Sequence, residues 1–497
     1  MKLKKMICMV LVFSMALLPL AAISCGGTET KEGGGENQKA DETGGDPENA
    51  TEADDKRQYD PKFGPVDMKG YVFTFGTRDD SIHNYSAHLR DLLAEEVTGD
   101  LINDAVYARN MAVEEKYNCK IETSALSHDD ATRPNQYVAK CAKAGDKSYD
   151  LLLTHMMHGI DSATNGFLHD IAKFPNIDLS KPYWNAGATA GLSLARRLYL
   201  GLSDLSFSAN EDIYCIFFNK ALLKDNAVEN PYALVKGNKW TFDKFGEIIR
   251  TGAVDLNGDG KMDEQDQFGY LSSSAMNFLW SGGSHIMQKD ADDMPYLDYN
   301  TPKTIDIFEK AYAITNNEYT YKKIEWNAAE PINMFANGQG LFYSSQLRRV
   351  NDLRAVEFDF GIVPYPKYDS AQKNYHSYVD GHASIMGIPI CLPEPEWTGM
   401  LIEEISYLTY RDILPTYYDV VLNVKMVRDE ESVEMLEILF ASKVFDFGYA
   451  WGGWDFWYPF IQSIQDEKKD FVSVYEKKEA AALNNITKKI ETVLSRD

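Results

Sequence analysis

The sequence predicts an α/β protein of mainly parallel sheets flanked by helices, followed by a mostly helical C-terminal part. Three observations carry this. From residue 71 onward, β-rich apolar runs alternate with amphipathic helical stretches, the order that builds parallel sheets with helices on their faces. Several strand candidates are continuously apolar rather than alternating, as strands covered on both sides are. Nothing repeats at the period of a solenoid. The chain has 497 residues, with 75 acidic against 50 basic side chains, a formal net charge of -25, and 44% hydrophobic residues. That is apolar material for about two to four domains. A surface this acidic repels phosphates, so nucleic acid is excluded as a general partner, and neutral or cationic small molecules, metals or proteins remain.

The chain opens with Lys2, Lys4 and Lys5, an apolar run from Met6 to Leu20, and the small-residue ending Ala22-Ile23-Ser24-Cys25. This is the pattern of a bacterial secretory signal, residues 1–24. Its ending resembles the lipobox of bacterial lipoproteins, which implies a lipid on Cys25 and attachment to a membrane outside the cytoplasm. The competing reading is an uncleaved anchor, for which the run is short against the ~20 residues of a span. Residues 26–57 hold seven glycines, ten acids, four basic residues and no aromatic. Such a segment buries too little to offset its ordering entropy, so residues 25–67 are expected to form the lipid anchor and a disordered tether.

Tyr71 to Phe75 reads as a strand, and Ile102, Val106, Val113 and Tyr117 as the buried stripe of a helix. A second strand is expected at Cys119 to Thr123, a helix over 134–143, and a fully buried strand at Tyr149 to Thr154. Ligands of such sheets bind at the carboxyl ends of strands, here Gly76-Thr77-Arg78 and His155-Met156-Met157. Ile213 to Asn219 begins a second alternating unit, in which Thr241 caps a helix that turns Phe242, Phe245, Ile248 and Ile249 inward. Short strands at Gly340 to Ser344, Phe360 to Val363 and Ser384 to Ile390 precede the helical tail, which starts near residue 396. Cys119, Cys141, Cys215 and Cys391 have no paired metal spacing; buried free thiols are expected, with one disulfide as the alternative.

The sharpest local motif runs from Asp255 to Asp266. Asp255, Asn257, Asp259, Asp263 and Asp266 place side-chain oxygens at positions 1, 3, 5, 9 and 12 of a calcium loop; Gly260 holds position 6, and Lys261 offers its carbonyl at 7. Calcium takes six to eight oxygens, and the glycine permits the turn that gathers them. A structural Ca2+ site is expected rather than a sensor, because Gln267 to Leu271 reads as a strand and not as an exiting helix. A metal-free turn is the alternative.

Trp280 precedes Ser281-Gly282-Gly283, and Tyr449 to Tyr458 gathers large rings, Trp451 and Trp454 among them, around two glycines. Sugars present an apolar C–H face, which flat rings beside planar polar groups recognise. Against this, any single tryptophan is more often core.

The order of Thr98 to Asn110, Val113 to Tyr117, Tyr149-Asp150-Leu151, Lys239 to Asp243 and Phe360 to Lys367 resembles the family 1 extracellular solute-binding proteins of ABC importers. The resemblance runs over nearly all of residues 68–460. It implies a two-lobed, periplasmic-binding-protein-like class II fold. It also implies a monomer that encloses a small solute, often an oligosaccharide, in its cleft and passes it to a membrane permease. Carried onto this chain, lobe one would be 68–207 plus 336–410, and lobe two 208–335 plus 411–497. The polar partners of the solute are then assigned by position. Arg78 and Asp79 follow the first strand, and Asn210, Glu211 and Asp212 sit at the crossing between lobes. Tyr343 and Gln346 lie on a returning strand, and Asp380 precedes Gly381-His382.

No GxSxG, HExxH or GxxxxGK[ST] occurs, so esterase, zincin and nucleotidase chemistry lack their anchors. Catalysis is therefore not expected. His155 and His158 form an HxxH pair, but no third metal ligand can be assigned to it from the sequence. A surface glycan-binding lipoprotein and a secreted glycosidase remain as alternatives.

Overall fold

A computed structural model describes residues 56–78, 88–126, 133–147, 149–323, 328–420 and 430–496. The expected signal, Cys25, most of the tether, and Asp79 lie outside the described residues. Where the tether is described, it is shorter than expected. Tyr59, Phe63 and Val66 pack on the core, and Lys56 Nζ lies 4.9 Å from the Tyr410 ring centroid. These few apolar side chains suffice to seat residues that composition alone grouped with the acidic leash.

Two larger sheets carry the fold. Their strands are β1 (Tyr71–Arg78), β2 (Cys119–Leu126), β3 (Leu151–Thr154), β4 (Tyr214–Asn219), β5 (Phe268–Ser272), β6 (Thr320–Lys322), β7 (Gly340–Gln346), β8 (Phe360–Val363) and β9 (Ile385–Gly387). The first sheet has the order β9-β3-β1-β2, with β1 parallel to both β2 and β3, and β9 antiparallel to β3 at the edge. Between β1 and β2 runs helix α1 (Leu101–Tyr117), which buries the expected stripe of Ile102, Val106, Val113 and Tyr117. Its start is fixed by the Asp100 carboxylate, which accepts from the amides of Ile102 and Asn103; its end is fixed by Asn118 in the left-handed region. Helices α2 (Arg133–Ala144) and α3 (Met156–Thr164) lead into and out of β3. Every residue of β3 is buried, which explains why its sequence does not alternate.

The second sheet, β8-β4-β7-β5-β6, corrects two expectations. It is mixed rather than mainly parallel: β4 pairs antiparallel with β8 and β7, whereas β5 pairs parallel with β7 and β6. Fully buried strands reveal burial in their sequence but not direction, so apolar runs could not distinguish the two. In addition, β7 and β8 belong to this sheet, although the resemblance implies lobe one for residues 336–410; of the strands named in that stretch only β9 joins the first sheet. The C-terminal helices touch both halves: Phe460, Phe471 and Tyr475 pack on Phe308 and Tyr299 of the expected lobe two, and the end of the tail reaches the first sheet. Helix α4 (Phe242–Ile249) packs its four expected side chains inward under a Thr241 cap, and α5 (Pro395–Leu408) lies against α1. Helices α6 (Phe447–Gly452), α7 (Trp454–Gln465) and α8 (Phe471–Leu494) follow. Beyond α8, Arg496 donates to the Ala163 carbonyl at 2.8 Å, and Lys489 Nζ lies 3.3 Å from Asp161, so the tail fastens onto α3 beside the first sheet. The four body cysteines are free thiols.

Candidate functional site

A cavity of about 310 Å³ opens where the two sheets meet the C-terminal helices. His155 and Met157 at the carboxyl end of β3 form one side, with His158 one turn further along α3. Ser274 and Met276 contribute from just beyond the carboxyl end of β5, and Tyr214 from the start of β4. Tyr449, Trp454, Trp457 and Ile461 come from α6 and α7, and Tyr378, Asp380 and His382 from the segment leading into β9. The volume lies at the small end of ligand sites, which run about 300–1,000 Å³.

Backbone contacts sew these parts together. The Met156 amide donates to the Gly381 carbonyl at 2.8 Å, which joins the exit of β3 to the Asp380–His382 turn, and the Asp380 amide donates to the Asp212 carbonyl at 3.0 Å. Glycine at 381 leaves room for both rings, since a Cβ there would lie 2.5 Å from His155 Cε1 and 2.7 Å from the Tyr449 hydroxyl and would have to displace them.

The walls are aromatic. Tyr378 stacks on Trp280 at 4.1 Å between centroids, with planes 9° apart, and its ring lies 5.6 Å from that of Tyr214. Tyr449 meets Tyr378 edge-on at 5.3 Å, Trp457 lies 5.8 Å from Tyr449, and Trp454 lies 4.6 Å from Trp457. Trp454 is 49% exposed, an unusual state for a residue this large and apolar. The buried Asp380 carboxylate is the polar centre. Its Oδ1 lies 2.6 Å from His382 Nδ1, and its Oδ2 accepts from the Tyr214 hydroxyl at 3.2 Å. Burial pushes the Asp380 carboxyl up, but the His382 ring, its hydrogen bonds and the His155 ring outweigh that and hold it well below the usual carboxylate range. Burial raises the phenols of Tyr214, Tyr378 and Tyr449 far enough to keep them protonated as donors.

Of the residues assigned to the solute from sequence, Asp380 and Trp454 line this cavity, as do His155 and Met157 from the strand-end rule and His158 of the HxxH pair. Trp280 does not; wholly buried, it backs Tyr378 and donates its indole N–H to Asp446 at 2.9 Å. Trp451 is core, stacked on Phe447 at 5.0 Å and donating to the Leu192 carbonyl. Tyr343 stacks on Phe217 inside the second sheet, and Gln346 accepts from Arg348. Asn210 accepts from Lys443 at 2.7 Å, Glu211 pairs with Arg90 at 2.9 Å, and Asp212 is buried beside them. These three hold the approach to β4 and lie outside the cavity wall. Their partners are more than 100 residues away in the chain, and no local pattern could reveal them. Arg78 ends β1. The lining residues that sequence reasoning left out include Tyr214, Met276 and Tyr378, whose only signal was their position beside strand ends.

The loop at 255–266 is closed by its own side chains. Asp255 accepts from the amides of Gly258 and Gly260, Asn257 from Asp259, and Asp259 from Lys261. Asp266, wholly buried, clasps the loop by accepting from Leu256 and Asp263. Gly258 and Gly260 have φ of 73° and 79°, the left-handed region that the turn demands. Among the described residues, the loop carboxylates form no group of three within 4.8 Å.

The sequence profile of the family described as bacterial extracellular solute-binding protein matches residues 133–402, more than half of the chain. The chain belongs to that family. It is therefore an extracytoplasmic solute-binding protein and not an enzyme. Among the described residues no helix is long and apolar enough to cross a membrane. No curated protein matches it in sequence. Solved structures share its two-lobed fold. A cyclo/maltodextrin-binding protein complexed with maltotetraose is 14% identical, with 85% of this chain and 97% of the other covered and a TM-score of 0.56. An extracellular solute-binding protein from Staphylococcus aureus in complex with maltose is 15% identical, with 85% and 98% covered and a TM-score of 0.55. A family 1 extracellular solute-binding protein from Bifidobacterium longum subsp. infantis is 14% identical, with 83% and 99% covered and a TM-score of 0.53.

Proposed function

We propose that this solute-binding protein captures a saccharide in the cavity between its two sheets and delivers it intact to an ABC permease. The observation that carries the reading is the cavity wall: flat rings at Tyr214, Tyr378, Tyr449, Trp454 and Trp457 beside an ionised, buried Asp380. Rings offer dispersion to C–H faces, and a carboxylate beside phenol donors pairs with hydroxyls. The maltose-type ligands of two structural relatives support the same class. Capture works by closure: a solute that touches residues of both sheets stabilises the closed arrangement, because the open one offers it only part of those contacts. Lipid on Cys25 holds the monomeric receptor at the membrane, and Ca2+ in the 255–266 loop reinforces the approach to β5.

Native mass spectrometry against a glycan panel tests the reading. One saccharide should bind at one per chain and be recovered with unchanged mass, and Trp454→Ala should weaken it. Retention of every panel member at full strength by that variant would overturn the assignment. A Cys25→Ser chain should shed from the membrane into the medium. A melting temperature indifferent to added Ca2+ or chelator would remove the calcium role.

A further inference from the structure

Saccharide recognition gives the Asp380 carboxylate a role but none to the two imidazoles beside it, His155 and His382. His155, Asp380 and His382 each place a ligand-type atom so that all three lie within 4.8 Å of one another. The HxxH pair lacked a third ligand in the sequence because Asp380 and His382 follow more than 200 residues later. The fold brings them in by backbone contact, through the Met156 amide on the Gly381 carbonyl at 2.8 Å, and not by side-chain attraction alone. His155 and Asp380 are 4% and 7% exposed, so the group is built into the protein rather than scattered over its surface. The His155 ring centroid lies 4.6 Å from that of His382 and 4.7 Å from that of His158, which places a third imidazole, and so a fourth donor, close by.

We propose that His155, Asp380 and His382 form a binding site for a divalent transition-metal ion of the zinc class, with the cavity supplying the remaining coordination position. Imidazole nitrogen with one carboxylate is the donor set that zinc and its neighbours take, whereas calcium and magnesium require oxygen throughout. Tetrahedral metal–ligand bonds of about 2.1 Å place donor atoms roughly 3.4 Å apart, so the group closes by little more than an ångström when it binds. Asp380 serves in either of two ways, as a direct ligand or as the carboxylate that orients His382 through its Nδ1 and leaves Nε2 for the ion. His155 Nδ1 accepts from the Met157 amide at 3.2 Å, so coordination at Nε2 moves its proton to Nδ1 and gives up that cap. The open position faces the aromatic wall, where an oxygen of a bound solute completes the shell.

The test is made on the full chain, stripped with chelator and free of sugar, so it stands apart from the saccharide reading. Cobalt(II) is the probe. One equivalent should bind with the strong visible absorption of a four-coordinate site, and zinc should displace it. His382→Gln and Asp380→Asn should each weaken cobalt binding at least tenfold while the melting curve shows a folded protein. Absence of that absorption, or equal affinity in the variants, overturns the proposal. X-ray absorption at the zinc edge of the unaltered protein keeps the test independent of variant folding: imidazole scattering is expected, and an all-oxygen shell would contradict it.

Discussion

Removing the Asp446 carboxylate disturbs both the core and the cavity. Asp446 caps α6 and is 4% exposed. Its Oδ2 accepts from Trp280 Nε1 at 2.9 Å and the Ile286 amide at 2.8 Å, and its Oδ1 from the amides of Gly448 at 2.7 Å and Tyr449 at 3.2 Å. Asp446→Ala leaves the Trp280 and Ile286 donors buried without an acceptor, at about 1–3 kcal/mol each. The lost helix cap adds about 1 kcal/mol. Water entry and small shifts recover part of this, so the expected loss is about 4 kcal/mol. Asp446→Asn keeps one acceptor oxygen and should lose roughly half as much. Urea unfolding with linear extrapolation reads both values. Because Trp280 backs Tyr378, the folded fraction of either variant should also bind its solute more weakly. An alanine variant within about 1 kcal/mol of the parent would refute the claim that these four contacts hold the site.

Three further outcomes follow from the same geometry. Trp454→Ala, at a half-exposed ring, should change unfolding free energy by less than about 1 kcal/mol yet lower solute affinity about tenfold or more in calorimetry. Gly381→Ala forces a Cβ to within 2.5 Å of His155 Cε1 and should cost about 1–3 kcal/mol in urea unfolding while displacing His155 and Tyr449. His376 is lowered to about 4 by burial, with His285 and Lys303 adding to it, so between its unfolded value near 6.5 and about 4 the unfolded chain binds the extra proton. Stability should therefore fall as pH drops through that window, and His376→Gln should flatten the fall in a pH series of urea midpoints without effect above it.

Much of the fold was legible because its elements state themselves locally. The α1 stripe, the Thr241 cap and the buried β3 run each follow from periodicity or one hydrogen bond. Strand direction and sheet membership were not legible, since β7 and β8 look alike whichever sheet receives them. In the site, Asp380 and Trp454 came from turn position and ring clustering, and the strand-end rule pointed to His155 and Met157. Trp280, Trp451, Asn210 and Glu211 carry the right chemistry, but their partners Asp446, Leu192, Lys443 and Arg90 lie far along the chain. Nothing nearby in the sequence distinguishes a ring that faces solute from one that backs it.

The most direct test of capture between two closing sheets is small-angle X-ray scattering of the protein with and without the saccharide that mass spectrometry selects. Closure predicts a smaller radius of gyration in the bound state, and that contraction should be lost in Trp454→Ala at the same saccharide concentration. An identical scattering curve at saturation would contradict it.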